Sequence, residues 1–241
     1  ALVSLMHANN EVGSMNPIAE LGATLRSRGE IAFHVDAAQT AGKHPIDVEK
    51  MHIDLLSISG HKFYAPKGIG ALYVRKSKVR GGAQVSGGGQ ERGLRGGTHN
   101  VPAIVGLGKA AEIALAEMSE ENARIGKLRG RIVETLVTPG SGVTLNGHPT
   151  DRLSSNVHLK FTGLGADDLL AGLHEFAFST TSACSTGGES HVLKAIGCAS
   201  DDPLISNARF GLGRYTTDAE VAHLIEKIQS TMKKSRGVSR A

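Results

Sequence analysis

The sequence predicts an α/β protein with a mainly parallel sheet, followed by a smaller α+β part. Two patterns point there. Apolar runs of strand length alternate with helical periodicities along the first half of this 241-residue chain. Polar and reactive residues gather just past the ends of those runs, where open α/β sheets hold their ligands. A composition of 40% hydrophobic and 21% charged residues supports a sizeable core.

Leu2 to Met6 reads as a buried strand that ends in the polar turn Asn9-Asn10-Glu11-Val12-Gly13. A helix follows, with Asn16 expected as N-cap and Pro17 in the first helical position. Ile18, Leu21 and Leu25 share its apolar face, and Gly29 ends it. Ile31 to Val35, closed by Asp36, reads as the second strand; Ile53 to Ser59 and Ile69 to Val74 read as two more. Gly81-Gly82 and Gly87-Gly88-Gly89 open a long loop that runs through Arg92, Arg95, Gly96, Gly97 and Thr98. From Pro102 to about Leu136 the pattern is helical, and the charged stretch Glu117 to Glu121 reads as a domain boundary. Short strands at Val143–Leu145 and Asn156–Phe161 come next, then a helix from Ala166 to His174 and a Ser/Thr-rich turn into Cys184. Thr217-Asp218-Ala219-Glu220 is a capping box for a last helix, whose apolar face carries Val221, Leu224, Ile225 and Ile228.

Several function classes drop out on composition. Trp is absent and aromatics make up 4%, which removes an aromatic platform for nucleic acid. Much of the net charge of +4 sits in Lys233, Lys234, Arg236 and Arg240, a solvated end. No apolar run is long enough to span a bilayer and no signal peptide is visible. With two cysteines, Cys184 and Cys198, a disulfide scaffold is disfavoured, and the expected compartment is reducing: the cytoplasm, or an organelle matrix. The chain starts at Ala1 and enters an apolar strand at once, which reads as the middle of a domain.

The chemistry centres on Lys62, in Ile58-Ser59-Gly60-His61-Lys62-Phe63-Tyr64-Ala65-Pro66-Lys67-Gly68. An amine at the end of a buried strand, beside groups able to hold a phosphate, can form a Schiff base with pyridoxal phosphate. That cofactor also needs an acid to keep its ring nitrogen protonated, donors near its phenolic oxygen, and a phosphate cradle. Asp36, in His34-Val35-Asp36-Ala37-Ala38-Gln39, suits the acid. Gln39 and Asn10 suit the phenolic oxygen, and Ser59, His61 and Thr98 suit the phosphate. Singly, each has a plainer reading: Asp36 as a turn residue, His61 as a satisfied histidine, the glycines as turns. Their joint arrangement carries the weight.

Four stretches resemble the cysteine desulfurases, fold-type-I pyridoxal phosphate-dependent transferases of the aminotransferase class V group. They are Met6-His7-Ala8-Asn9-Asn10-Glu11-Val12-Gly13, His34 to Gln39, Gly60-His61-Lys62, and Gly87 to Thr98. The resemblance implies that Lys62 holds the cofactor and Asp36 pairs with its ring nitrogen. Asn10 and Gln39 would sit near the phenolic oxygen, with Ser59 and His61 on the phosphate. Thr98 would reach the cofactor of a neighbouring subunit, so a homodimer is expected. Thr181-Ser182-Ala183-Cys184-Ser185-Thr186-Gly187-Gly188 resembles the family's nucleophile segment. It implies that Cys184 takes sulfur from L-cysteine as a persulfide and can transiently ligate an iron–sulfur cluster on a scaffold partner. Arg209 would grip the substrate carboxylate together with Asn10, whereas Arg214 fits an ion pair and Cys198 a structural place.

On this resemblance residues 1–116 are what remains of the cofactor-binding large domain, and 117–241 are the small domain with the cysteine loop. The family's phosphate-cupping Gly/Thr loop, its ring-stacking histidine and several strands would lie upstream of this sequence, leaving the sheet an exposed apolar edge and face. Gly211 stands where the family usually has serine. Three alternatives stay open. One is a selenocysteine lyase on the same scaffold. Another is a non-catalytic remnant or one piece of a split enzyme. The third is another class V enzyme such as a small-acid aminotransferase, against which Cys184 argues, since transamination needs no thiol.

Overall fold

The computed structural model of the chain describes residues 1–77, 82–180 and 190–238. They form two compact units, Ala1–Ala8 with Asn16–Met118, and Asn9–Met15 with Ser119–Ala241.

The first unit holds a four-stranded sheet of β1 (Leu2–Met6), β2 (Ala32–Asp36), β3 (Leu55–Ser59) and β4 (Gly70–Val74), in that order. The first three strands are parallel and β4 runs antiparallel to β3. The reversal follows from the connection. Residues 60–69 hold one 3-10 turn and Gly68 at φ +84, too short a path for a crossover helix. Phe33, Val35, Ile53, Leu56 and Phe63 pack with Ala110 and Ala114 of the long helix α2 (Val101–Leu136). Helix α1 (Ile18–Ser27) adds Ile18 to that core. A β-carbon on Gly22 would stand 2.0 Å from the Met51 carbonyl oxygen, so only glycine lets α1 pack this closely.

Asn16 is not the cap the sequence suggests. Helix α1 starts at Ile18 after Pro17, without a side-chain cap. Asn16 instead braces the end of β1, donating from Nδ2 to the Met6 carbonyl at 2.7 Å and from its backbone to His7 at 2.9 Å. The charged stretch Glu117–Glu121 contains the point where the two units divide, between Met118 and Ser119, and α2 runs through it as one helix. Its glutamates and Met118 are good helix material.

The second unit holds the C-terminal half of α2 and an antiparallel three-stranded sheet, β5 (Val143–Leu145), β6 (Asn156–Thr162) and β7 (Ile205–Gly211). Helices α3 (Ala166–Gly172), α4 (His191–Ala195) and α5 (Asp218–Val238) complete it. Val157, Leu159, Phe161, Leu164, Leu169, Leu173 and Ile228 form its centre, all fully buried. Periodicity does not predict β7 or α4. The inward face of β7 mixes Ala208 and Phe210 with Ser206, which is accommodated by donating to the Leu164 carbonyl at 2.8 Å.

The loop Asn9–Met15 belongs to this second unit because its carbonyls satisfy buried donors there. Arg152, 5% exposed, donates to the Val12 carbonyl at 2.9 Å and to Asn146, His148 and Asn156 oxygens. Asn156 Nδ2 donates to the Glu11 carbonyl at 2.9 Å, and Leu153 N–H to that of Gly13 at 3.0 Å. Gly13 sits at φ +76, and a β-carbon there would stand 2.8 Å from Asn156.

Candidate active site

In the first unit the three parallel strands finish together, with Met6 beside Asp36 and Asp36 beside Ser57 in the register. Beyond β3 the chain turns through the 3-10 segment Gly60–Phe63, whose ends are buried. Lys62 projects from this turn half-buried, and no hydrogen bond or ion pair among the described residues engages its amine. Tyr64 closes the turn in the left-handed region, φ 72. A side chain there costs on the order of 1 kcal/mol, and such strain gathers at functional sites. Ser59 Oγ lies 3.1 Å from His61 Nδ1, which pairs the two expected phosphate ligands.

Asp36 is exposed at the end of β2, and one of its oxygens accepts the Ala38 N–H at 2.9 Å. This fixes the carboxylate as a turn former, and no hydrogen bond among the described residues engages its second oxygen. Gln39 lies half-buried in the same turn. Thr98 is exposed near the end of the glycine-rich loop, where Glu91 and Arg92 both adopt left-handed backbone (φ 52 and 61) and Glu91 holds His99 at 2.9 Å.

Two histidines of this region escape a sequence reading. His34 bridges the strands, 2.7 Å from Ser4 Oγ and 3.2 Å from Ser57 Oγ. His7 is buried at the end of β1 with Nδ1 unpartnered, its ring edge-on to His44 with 5.3 Å between centroids. Burial, and after it the neighbouring His44, lowers its pKa to about 4.

In the second unit Asn10 and Arg209 are brought together: Arg209 Nη1 donates to the Asn10 carbonyl at 2.7 Å. Arg209 lies on β7 opposite His158 on β6. His158 is buried and 3.0 Å from Asn146 Nδ2, which puts its ring proton on Nε2. Burial first, then Arg209 and Arg152, lowers its pKa to about 4. Arg214 pairs with Glu121 at 2.7 Å. A β-carbon on Gly211 would meet nothing within 4 Å, so the site has room for the family's serine. Cys198 is a half-buried free thiol, 3.7 Å from the Ile196 carbonyl. Cys184 lies outside the described residues.

The family model for aminotransferase class V matches residues 1–224. The chain belongs to that family. It is 47% identical to cysteine desulfurase IscS of Shewanella sp. (strain ANA-3), over 99% of this chain and 59% of that protein. It is 45% identical to the human cysteine desulfurase, over 99% of this chain and 52% of that one. Among solved structures, a NifS-like protein superposes with a TM-score of 0.84 at 37% identity, covering 96% of this chain and 61% of that one. DndA from Streptomyces lividans gives 0.72 at 36% identity, over 87% of this chain and 60% of that one. The chain thus spans somewhat over half the length of the curated relatives it matches.

Class V aminotransferases are pyridoxal phosphate enzymes, and the donor set at the sheet end has the chemistry this cofactor requires. An unengaged amine, a carboxylate with one oxygen unengaged and a hydroxyl–imidazole pair stand on neighbouring strand ends or the turn after them. No helix of the described residues is long and apolar enough to cross a membrane.

Proposed function

We propose that this chain is the lysine- and thiol-bearing part of a cysteine desulfurase, converting L-cysteine to L-alanine and a persulfide on Cys184. The observation that carries the reading is the unengaged Lys62 amine, held in a strained turn at the carboxyl end of parallel strands with Asp36 alongside. Pyridoxal phosphate, when bound, supplies an aldehyde for an amine and a ring that accepts an electron pair.

The residues then divide the work. Lys62 Nζ would anchor the cofactor, and the same amine is the base placed to take the substrate α-proton. The second Asp36 oxygen would hold the proton on the ring nitrogen. Ser59, His61 and, from a second subunit, Thr98 bind phosphate; Gln39 and Asn10 serve the phenolic oxygen. Arg209 uses its remaining nitrogens on the substrate carboxylate, a two-point grip that keeps cysteine oriented. The Cys184 thiolate forms the new S–S bond as the substrate C–S bond breaks. The carbon keeps that electron pair and is protonated, so alanine leaves and no outside oxidant is needed. An iron–sulfur scaffold protein, or another sulfur acceptor, would then take the persulfide sulfur.

Two measurements test this. Borohydride reduction of the protein mixed with cofactor should add the cofactor mass to the Lys62 peptide, and Lys62→Ala should abolish that addition. Cys184→Ala should keep cofactor uptake yet form no persulfide. Cofactor fixed elsewhere, or persulfide retained in Cys184→Ala, overturns the reading. A chain that takes up no cofactor would be a non-catalytic remnant or part of a split enzyme, and turnover of cysteine against selenocysteine separates desulfurase from selenocysteine lyase.

A further inference from the structure

The two ends of the segment that carries Cys184 are fastened to one dipeptide, Asn10-Glu11. On the upstream side Ser179 and Arg209 exchange backbone hydrogen bonds, Ser179 N–H to Arg209 oxygen at 3.1 Å and the reverse at 2.7 Å. Arg209 in turn donates from Nη1 to the Asn10 carbonyl at 2.7 Å. On the downstream side Ser190 Oγ donates to Glu11 Oε2 at 2.5 Å, while accepting the Leu193 N–H as N-cap of α4.

Both members of the downstream clasp are buried, Glu11 at 3% exposure and Ser190 at 6%. Burying a carboxylate is costly unless it is hydrogen-bonded. A turn residue needs no such group, so a buried glutamate here calls for a task. Glu11 itself is rigidly placed. Its N–H goes to Asn9 Oδ1 at 2.8 Å and its carbonyl accepts from Asn156 at 2.9 Å. The clasp is therefore a fixed post. Five residues of chain lie between Cys184 and Ser190, so their α-carbons are at most about 20 Å apart.

We propose that Glu11 is a positioning residue for sulfur transfer. Its carboxylate holds Ser190 and so fixes the downstream end of the thiol segment to the loop that supplies Asn10, which Arg209 also holds. The inference rests on the reading of Cys184 as the persulfide cysteine. Loss of Glu11 then loosens the thiol's anchorage without touching the groups at Lys62.

The test uses the full chain with Glu11→Ala, Glu11→Gln and Ser190→Gly. Glutamine keeps an acceptor for the Ser190 hydroxyl. Glycine at an N-cap costs little helix stability, so Ser190→Gly removes the clasp while sparing α4. Amide hydrogen exchange is followed at residues 190–193. Alkylation of Cys184 is followed by peptide mass, with Cys198 in the same sample as internal reference.

Losing a hydrogen bond to a charged group should speed exchange at 190–193 roughly tenfold or more in Glu11→Ala and Ser190→Gly. The ratio of Cys184 to Cys198 alkylation should shift with it, and Glu11→Gln should restore much of both. In persulfide formation kcat should fall more than KM rises. Unchanged exchange and an unchanged ratio in Ser190→Gly overturn the proposal even if Glu11→Ala fails to fold. So does a parallel rise at Cys184 and Cys198 that tracks lost melting temperature, because that is general destabilisation. Persulfide in Cys184→Ala would sink the underlying reading instead, leaving the exchange result to stand by itself.

Discussion

His158 is neutral in the folded chain near pH 7 because burial and two arginines, Arg209 and Arg152, penalise its charge. Its pKa falls from 6.5 to about 4 in the folded state, so the unfolded chain binds the extra proton first as pH drops. The stability this provides is fully present above pH 6.5 and is lost as pH falls toward 4. The size is on the order of 3 kcal/mol for a shift this large. Urea unfolding at several pH values should therefore show stability falling through that window, and His158→Gln should flatten the slope while costing stability at pH 7. An unchanged slope in the variant would refute the account.

The same scale shows what sequence can carry. Lys62, Asp36 and Ser59 were legible because their residue types stand at strand ends in an ordered series. Glu11, Arg152 and His7 were not. Each is polar in a turn-rich stretch and looks solvated, and only three-dimensional packing reveals that each is buried. Asn16 looks like a helix cap in sequence for a related reason. Its side chain met a distant carbonyl at Met6 before any helix N–H.

Among the elements, α5 has the most sequence-determined start. Thr217 Oγ1 accepts the Glu220 N–H at 3.2 Å, and Glu220 accepts the Thr217 N–H at 2.8 Å, a reciprocal capping box. Thr217→Ala should destabilise the protein by about 1 kcal/mol in denaturant unfolding, and Thr217→Ser should recover most of it. A melting curve indifferent to both would mean the second-unit core alone sets this helix. Val221, Leu224, Ile225 and Ile228 were legible for the same reason: a helical period with one buried face leaves its mark on composition. Strand β7 left none, because Ser206 on its inward face and Ile205 on its outward face break the apolar alternation that would announce it. Nor did the direction of β4, which depends on how much chain the turn before it contains.

At the scale of the whole chain, apolar surface is the leading feature of the first unit. Leu2 and Met6 on β1 and Leu72 on β4 are exposed. An open cavity of about 690 Å³ lies among Ile46, Leu56, Phe63, Ala114 and Met118. Surface of this kind associates, so the protein should bind a hydrophobic dye and show concentration-dependent self-association in sedimentation. A dye-silent monomer across micromolar concentrations would show that the surface is dispensable.

The second unit draws on residues Asn9–Met15 from far away in sequence, 145 positions in the case of Asn156 and Glu11. Residues 119–241 produced alone should therefore be unstable, with the donors of Arg152, Asn156 and Leu153 left unanswered in their interior. The same arrangement sets a timetable. During synthesis the loop leaves the ribosome long before β6 and β7 exist, and its Glu11, Val12 and Gly13 carbonyls must stay unclaimed until they arrive. Closing so long a loop is entropically costly and slow. The last step in maturing this unit is thus the return of its earliest-made piece, and a chaperone that keeps that piece open would serve the fold better than one that hastens collapse.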